Sequence, residues 1–271
     1  MRLLCYSCLL LLACAPLFAQ PVEAKHARLE LIAENNGVTP GHQLLLGLHF
    51  QLEKDWHIYW INPGDSGQPP VVQWRLPSGF SAGEVQWPRP EKLKSSQSAD
   101  YGYKDEVLLM VPVHVPPDLK NNSTASISMG VDAKWLICRE VCIADHAQFH
   151  LALPASSTPL PDKRYTQLFA NARKLLPKAW PAAWKATASS GKDDFVLSIQ
   201  AGKPLREAEF FPLEPSQIEN VAPQPLHVTA RGVMITLKKS EQLVKPISKL
   251  KGLLVLPGGT AYQIVAPVAQ P

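Results

Sequence analysis

No stretch of this sequence, the apolar run of residues 3–15 included, is long enough to cross a bilayer, which takes about 20 apolar residues. No block of like charges marks a tail or a basic arm. The formal net charge is +4, too weak a bias to argue for nucleic acid as a partner. Cysteine is scarce: the five residues stand at positions 5, 8, 14, 138 and 142. The first three lie in an N-terminal apolar segment. If that segment is removed, two cysteines remain, four residues apart. A lone close pair in an exported chain raises a redox question before any other.

Hydrophobic residues make up 46% of the chain, ample for a core. Twenty-six prolines and fifteen glycines, many beside short β-branched runs, predict an all-β protein with many turns. Arg2 precedes an apolar run from Leu3 to Ala15, then Pro16-Leu17-Phe18-Ala19. That order reads as a secretory signal over residues 1–19, cleaved after Ala19 or Ala24. Leu11-Leu12-Ala13-Cys14 resembles a lipobox, so a lipid anchor on Cys14 is the rival expectation. Either way the chain is expected to act outside the cytoplasm, where disulfides persist.

Residues 25–153 read as a first domain. Leu44, Leu46, Leu48, Phe50 and Leu52 alternate with Gln43, Gly47, His49 and Gln51, a strand with one face on a core. Shorter strands are expected at Val71–Trp74, Val85–Trp87, Val107–Val113, Ala125–Met129, Ala133–Ile137 and His146–Leu153. Asn62–Gly67, Pro77–Gly79 and Pro116–Asp118 are turn signals. Strands at such spacing predict a sandwich of immunoglobulin type. Trp56-His57-Ile58-Tyr59-Trp60 reads either as a core strand or as a rim shaping the cysteine site. Residues 154–184 read as a linker and an amphipathic helix ended by Pro177. Residues 185–271 read as a smaller β domain without cysteine, metal cluster or catalytic cluster.

Cys138 and Cys142 cannot bond within one straight strand. Four residues of strand put their Cα atoms about 13 Å apart, whereas a disulfide needs about 4.4–6.8 Å. Arg139-Glu140-Val141 must therefore turn. A bond closing so small a loop stabilises by only about 2 kcal/mol, against about 4.7 for a 100-residue loop. As a staple it is poor, so exchange is the expected use and an inert local disulfide the alternative. Lys134 and Arg139 favour a thiolate, and Glu140 opposes them. Cys138, Cys142, His146 and His150 recur every four residues, a chelating face if helical. The alternation of residues 147–153 argues for a strand instead, which would spread the histidines. No metal and no cofactor is expected.

Trp56–Gly67, Trp87-Pro88, Tyr101-Gly102-Tyr103 and Trp135–Cys142 together resemble the N-terminal periplasmic domain of the thiol:disulfide interchange protein DsbD, in its ScsB-like branch. The resemblance covers most of residues 25–153. It implies an immunoglobulin-like sandwich whose Cys138 and Cys142 carry electrons, with Cys142 the preferred attacker. In that family a short loop caps the cysteines. Ser98–Lys104 stands in its place, with Asp100 in the loop, Tyr101 or Tyr103 as the shield and Gly102 as the bend; the alternative is a tight turn between Trp87 and the Val107 strand, with the tyrosines packed on the sandwich. Trp135 would wall the site. The implied partners are a membrane-embedded electron donor of DsbD type and periplasmic thioredoxin-like or disulfide isomerase proteins. The implied settings are cytochrome c biogenesis and copper tolerance. The spacing is Cys-x3-Cys, as in the ScsB-like branch, and Ala144 stands where proline often follows. The family's membrane and thioredoxin-like domains are not in the sequence; if the chain is complete, its reductant is a separate protein. The alternative expectation is a non-catalytic envelope binding or copper-handling module that kept the fold.

Overall fold

The computed structural model describes residues 21–95, 97–119 and 126–270. The expected signal over 1–19, with Cys5, Cys8 and Cys14, lies outside the described residues, as does Ala125.

The alternating segments of the first half form eleven strands. They are β1 (Val22–Ala24), β2 (Ala27–Ala33), β3 (Gln43–Leu52), β4 (His57–Gly64), β5 (Val71–Arg75) and β6 (Ser81–Ala82), followed by β7 (Glu91–Lys94), β8 (Ala99–Lys104), β9 (Glu106–His114), β10 (Ser126–Cys138) and β11 (Cys142–Pro154). One sheet runs β1-β2-β3-β9-β6. The other runs β11-β10-β4-β8-β7, with β5 also paired to β10. Between them lies one apolar core. β3 gives it Leu44, Leu46, Leu48 and Phe50, β4 gives Ile58 and Trp60, and β10 gives Met129, Val131, Ala133, Trp135 and Ile137. This is the immunoglobulin-like sandwich that the spacing predicted.

The outer face of β3 and β9 is covered rather than wet. Helix α1 (Thr166–Leu175) buries Phe169 and Ala172 against Ile32, Leu108 and Met110. Gly47 makes room for this: a Cβ there would meet Leu108 at 2.5 Å and Phe169 at 3.3 Å.

Three expectations are corrected. Ser126–Met129, the described part of the expected strand Ala125–Met129, and Ala133–Ile137 belong to one strand, β10. Gly130 does not interrupt it, because β11 on one side and β5 on the other pair straight through that position. The last strand starts at Cys142 rather than His146. Val85–Trp87 makes only an isolated bridge, Gln86 to Met110.

The second half forms β12 (Lys185–Ser190), β13 (Asp194–Gln200), β14 (Glu209–Pro212), β15 (Leu226–Thr229), β16 (Gly232–Lys238), β17 (Lys249–Val255) and β18 (Ala261–Ala269). They join in the order β14-β17-β18-β12-β13-β16-β15. β12, with the sequence Lys-Ala-Thr-Ala-Ser-Ser, carries no apolar alternation and is held as a strand by its neighbours β13 and β18. Phe195, Leu197, Ile235, Leu237, Leu250, Leu254 and Ile264 form a second core. Phe211 and Leu253 are exceptions: they pack into the first core, so the two halves share buried apolar surface.

Candidate redox site

β10 and β11 pair in continuous register from Ser126 opposite Pro154 to Cys138 opposite Cys142. The cysteines are the last rung of this ladder. Arg139-Glu140-Val141 closes the hairpin beyond them, with the Arg139 N–H donating to the Val141 carbonyl at 3.2 Å. Cys138 and Cys142 are joined in a disulfide, with Cα atoms 4.2 Å apart. Their environments differ. Cys138 is 2% exposed, whereas Cys142 is exposed at the sheet edge. A thiolate from outside therefore meets Cys142 first.

Cys138 also pairs with His57 at the start of β4. Side chains alternate across a strand, so Ile58 and Trp60 enter the core while His57 and Tyr59 lie on the opposite face. Tyr59 donates its phenol O–H toward the Cys142 Sγ at 3.4 Å. His57 meets the Tyr59 ring edge-on, with centroids 5.2 Å apart. The His57 Nε2 is buried with no hydrogen-bond partner among the described residues. Burial lowers the His57 pKa, and Lys104 adds to this while Asp100 opposes it. Its imidazole is therefore neutral at pH 7. Burial raises the Tyr59 pKa, reinforced by Asp100 and opposed by Ser66. The phenol thus keeps its proton and remains a donor to sulfur.

Two groups frame this pair. Trp56 stacks on His26 at 3.8 Å, and the Arg139 guanidinium lies 5.3 Å above the Trp56 ring. On the other side, Gly67 presses its backbone on Tyr59. A Cβ at Gly67 would fall 2.1 Å from a ring carbon, and its φ is +77°. Only glycine fits both the contact and the dihedral.

The cap residues expected from sequence lie elsewhere. Asp100, Tyr101, Gly102 and Tyr103 belong to β8, hydrogen-bonded between β4 and β7 rather than looped over the sulfurs. Tyr101 is fully buried and donates to the Asn220 Oδ1 at 3.0 Å. Tyr103 donates to the Pro88 carbonyl at 2.8 Å. Gly102 is not a bend: a Cβ there would meet the Ile58 carbonyl oxygen at 2.2 Å, so it permits close strand approach. Asp100 accepts from the Ser66 N–H and O–H, both at 2.9 Å, and so anchors the turn that carries Gly67. Trp135 packs edge-on against Phe50 in the core. The aromatic hydroxyl at the sulfur is that of Tyr59. Period two in Trp56–Trp60 already set 57 and 59 apart from 56, 58 and 60, which was the available signal.

Residues 29–154 match the family model of the thiol:disulfide interchange protein DsbD, N-terminal. This first sandwich is a DsbD N-terminal domain. The crystal structure of the N-terminal periplasmic domain of ScsB from Proteus mirabilis is similar at 16% identity, with a TM-score of 0.67, over 92% of this chain and 95% of that one. At that identity the likeness concerns fold, and it extends through both halves. The periplasmic chaperone SfaE matches at 7% identity over 89% of this chain and 100% of that one, with a TM-score of 0.24, too low to carry an argument. No curated protein sequence matches the chain. Within the DsbD-type domain, the Cys138–Cys142 disulfide ties the chain to thiol–disulfide interchange at the level of the family.

Proposed function

We propose that this protein is an exported dithiol–disulfide carrier, working in the periplasm between a membrane-embedded reductant of DsbD type and oxidised thioredoxin-like or isomerase partners. The observation that carries the reading is the asymmetry of one disulfide: Cys142 exposed and in contact with Tyr59, Cys138 buried behind it.

In the reduced protein the Cys142 thiolate attacks one sulfur of a partner disulfide. The partner's other cysteine leaves as a thiolate, and a mixed disulfide remains. Cys138 then loses its proton and attacks the Cys142 sulfur, which releases the partner as a dithiol. Two electrons have moved to the partner, and Cys138–Cys142 is oxidised. The membrane donor reverses the sequence. We assign the Cys138 proton to His57, which pairs with Cys138 across the ladder and is neutral at pH 7. Tyr59 stabilises the Cys142 thiolate by hydrogen bonding.

The test is the reduction potential, measured by equilibration in glutathione or dithiothreitol buffers with thiol trapping. A value of about −120 to −270 mV supports a carrier, and a value below about −300 mV means a structural bond. Copper or zinc binding that survives in the disulfide form would favour the non-catalytic module instead.

A further inference from the structure

The second β unit carries no cysteine, yet it reaches the redox site through a continuous set of contacts. Asn220 lies between β14 and β15 and is 5% exposed. Its amide does two things. Nδ2 donates to the Asp65 Oδ1 at 2.7 Å, and Oδ1 accepts from the Tyr101 phenol at 3.0 Å. Asp65 turns its other oxygen to the Ala99 N–H at 2.7 Å. A second tie runs beside the first. The buried Asn62 Nδ2 donates to the Pro212 carbonyl at 2.8 Å, while the Asn62 Oδ1 caps the Gly64 N–H at 3.1 Å. Asn62 and Asp65, which receive the two ties from the second unit, both sit on the Asn62–Gly67 turn. That turn is the one whose Gly67 backbone lies on the Tyr59 ring.

We infer that Asn220 is a positioning residue for the redox site: through Asp65 it clamps the Asn62–Gly67 turn on Tyr59, and so holds the Tyr59 hydroxyl at the Cys142 sulfur. The inference rests on the proposed carrier reading for its purpose. The clamp itself acts on Cys142 whether or not the protein exchanges electrons. It gives the second unit a role that its own residues do not announce, since the contact with sulfur is made entirely by the first. Without Asn220 the turn keeps the Asp65 bonds to Ala99, the Asp100 bonds to Ser66 and the Asn62 tie, but the Asp65 carboxylate loses its link to the second unit and the Tyr59 ring is backed less firmly.

The experiment uses the full mature chain carrying Cys138→Ser, so that Cys142 is the single thiol, and follows iodoacetamide alkylation against pH. Asn220→Ala is expected to leave about fivefold less thiolate at neutral pH, in line with the loss of one hydrogen bond to sulfur, and to raise the limiting rate at high pH as the sulfur is uncovered. Tyr59→Phe gives the same loss of thiolate. Adding Asn220→Ala to Tyr59→Phe brings no further loss, because one acts through the other. Asn220→Asp keeps the shape but sets a carboxylate against Asp65; it moves the profile in the same direction and guards against misfolding of the alanine variant. Glu209→Gln breaks the separate ion pair to Lys92 across the same junction and leaves the profile where it was. An unchanged profile in a folded Asn220 variant, additive effects with Tyr59→Phe, or an equal shift from Glu209→Gln would each overturn the clamp. None of these outcomes depends on the reduction potential, so a failure of the carrier reading is seen separately.

Discussion

Tyr59 and Cys142, 83 residues apart in sequence, meet with the phenol oxygen 3.4 Å from the sulfur. Sulfur is a weak acceptor as a disulfide and a strong one as a thiolate. The bond is therefore worth more after reduction than before. Tyr59→Phe is expected to remove about 1 kcal/mol from the reduced form, a roughly fivefold fall in its equilibrium population against glutathione. Redox titration of the two proteins side by side measures it, and an identical midpoint would remove Tyr59 from the site.

Cys142→Ser and Cys138→Ser are expected to differ in kind. With Cys142 gone, the remaining buried thiol forms no mixed disulfide with a partner. With Cys138 gone, the mixed disulfide forms and is not resolved, so it accumulates. Non-reducing electrophoresis after mixing with an oxidised thioredoxin-like protein distinguishes them. Accumulation in Cys142→Ser instead would reverse the roles.

Reducing the disulfide should loosen the fold only slightly. Its loop closes over so few residues that the bond constrains the unfolded chain by about 2 kcal/mol, while the ladder from Ser126 to Ile137 and the core beneath it stay intact. The reduced protein is expected to unfold cooperatively, a few degrees below the oxidised one. Loss of the thermal transition on reduction would show the bond to be a staple.

His57 makes stability depend on pH in a known direction. Its folded pKa lies below the ordinary 6.5 because burial disfavours the cation. Between the folded value and 6.5 the unfolded chain binds the extra proton, so stability is complete above 6.5 and falls as pH drops through that window. His57→Gln should flatten this part of the profile of melting temperature against pH. An unchanged slope in His57→Gln would assign the effect to other groups.

Gly67→Ala is expected to cost about 1–3 kcal/mol, because the new methyl falls on the Tyr59 ring and the φ of +77° is left-handed. The turn must lift or the tyrosine must move. Chemical denaturation gives the stability loss, and a shifted potential in the same variant ties it to the site. A neutral effect on both would mean that the turn is loosely held.

A good part of this molecule was legible in its residues alone. The alternation of Leu44, Leu46, Leu48 and Phe50 marked a core strand because a strand's side-chain period is two, and such a pattern has one buried face wherever the partner sheet lies. The four-residue separation of Cys138 and Cys142 demanded a hairpin, because covalent reach is a local quantity. The motifs around them pointed to the DsbD N-terminal family. Tertiary structure alone decided which aromatic touches sulfur. Tyr101 and Tyr103 are as aromatic as Tyr59, and nothing local in Tyr101-Gly102-Tyr103 reveals that β8 pairs between two strands and turns both hydroxyls to Asn220 and Pro88. It also decided that Cys138 is buried while Cys142 is exposed, since burial depends on how β4 lies across the end of the hairpin. Asn220 had no pattern to betray it. Its significance comes from two hydrogen bonds to residues 155 and 119 positions away, and contacts of that range are set by how the two β units pack, not by any spacing along the chain.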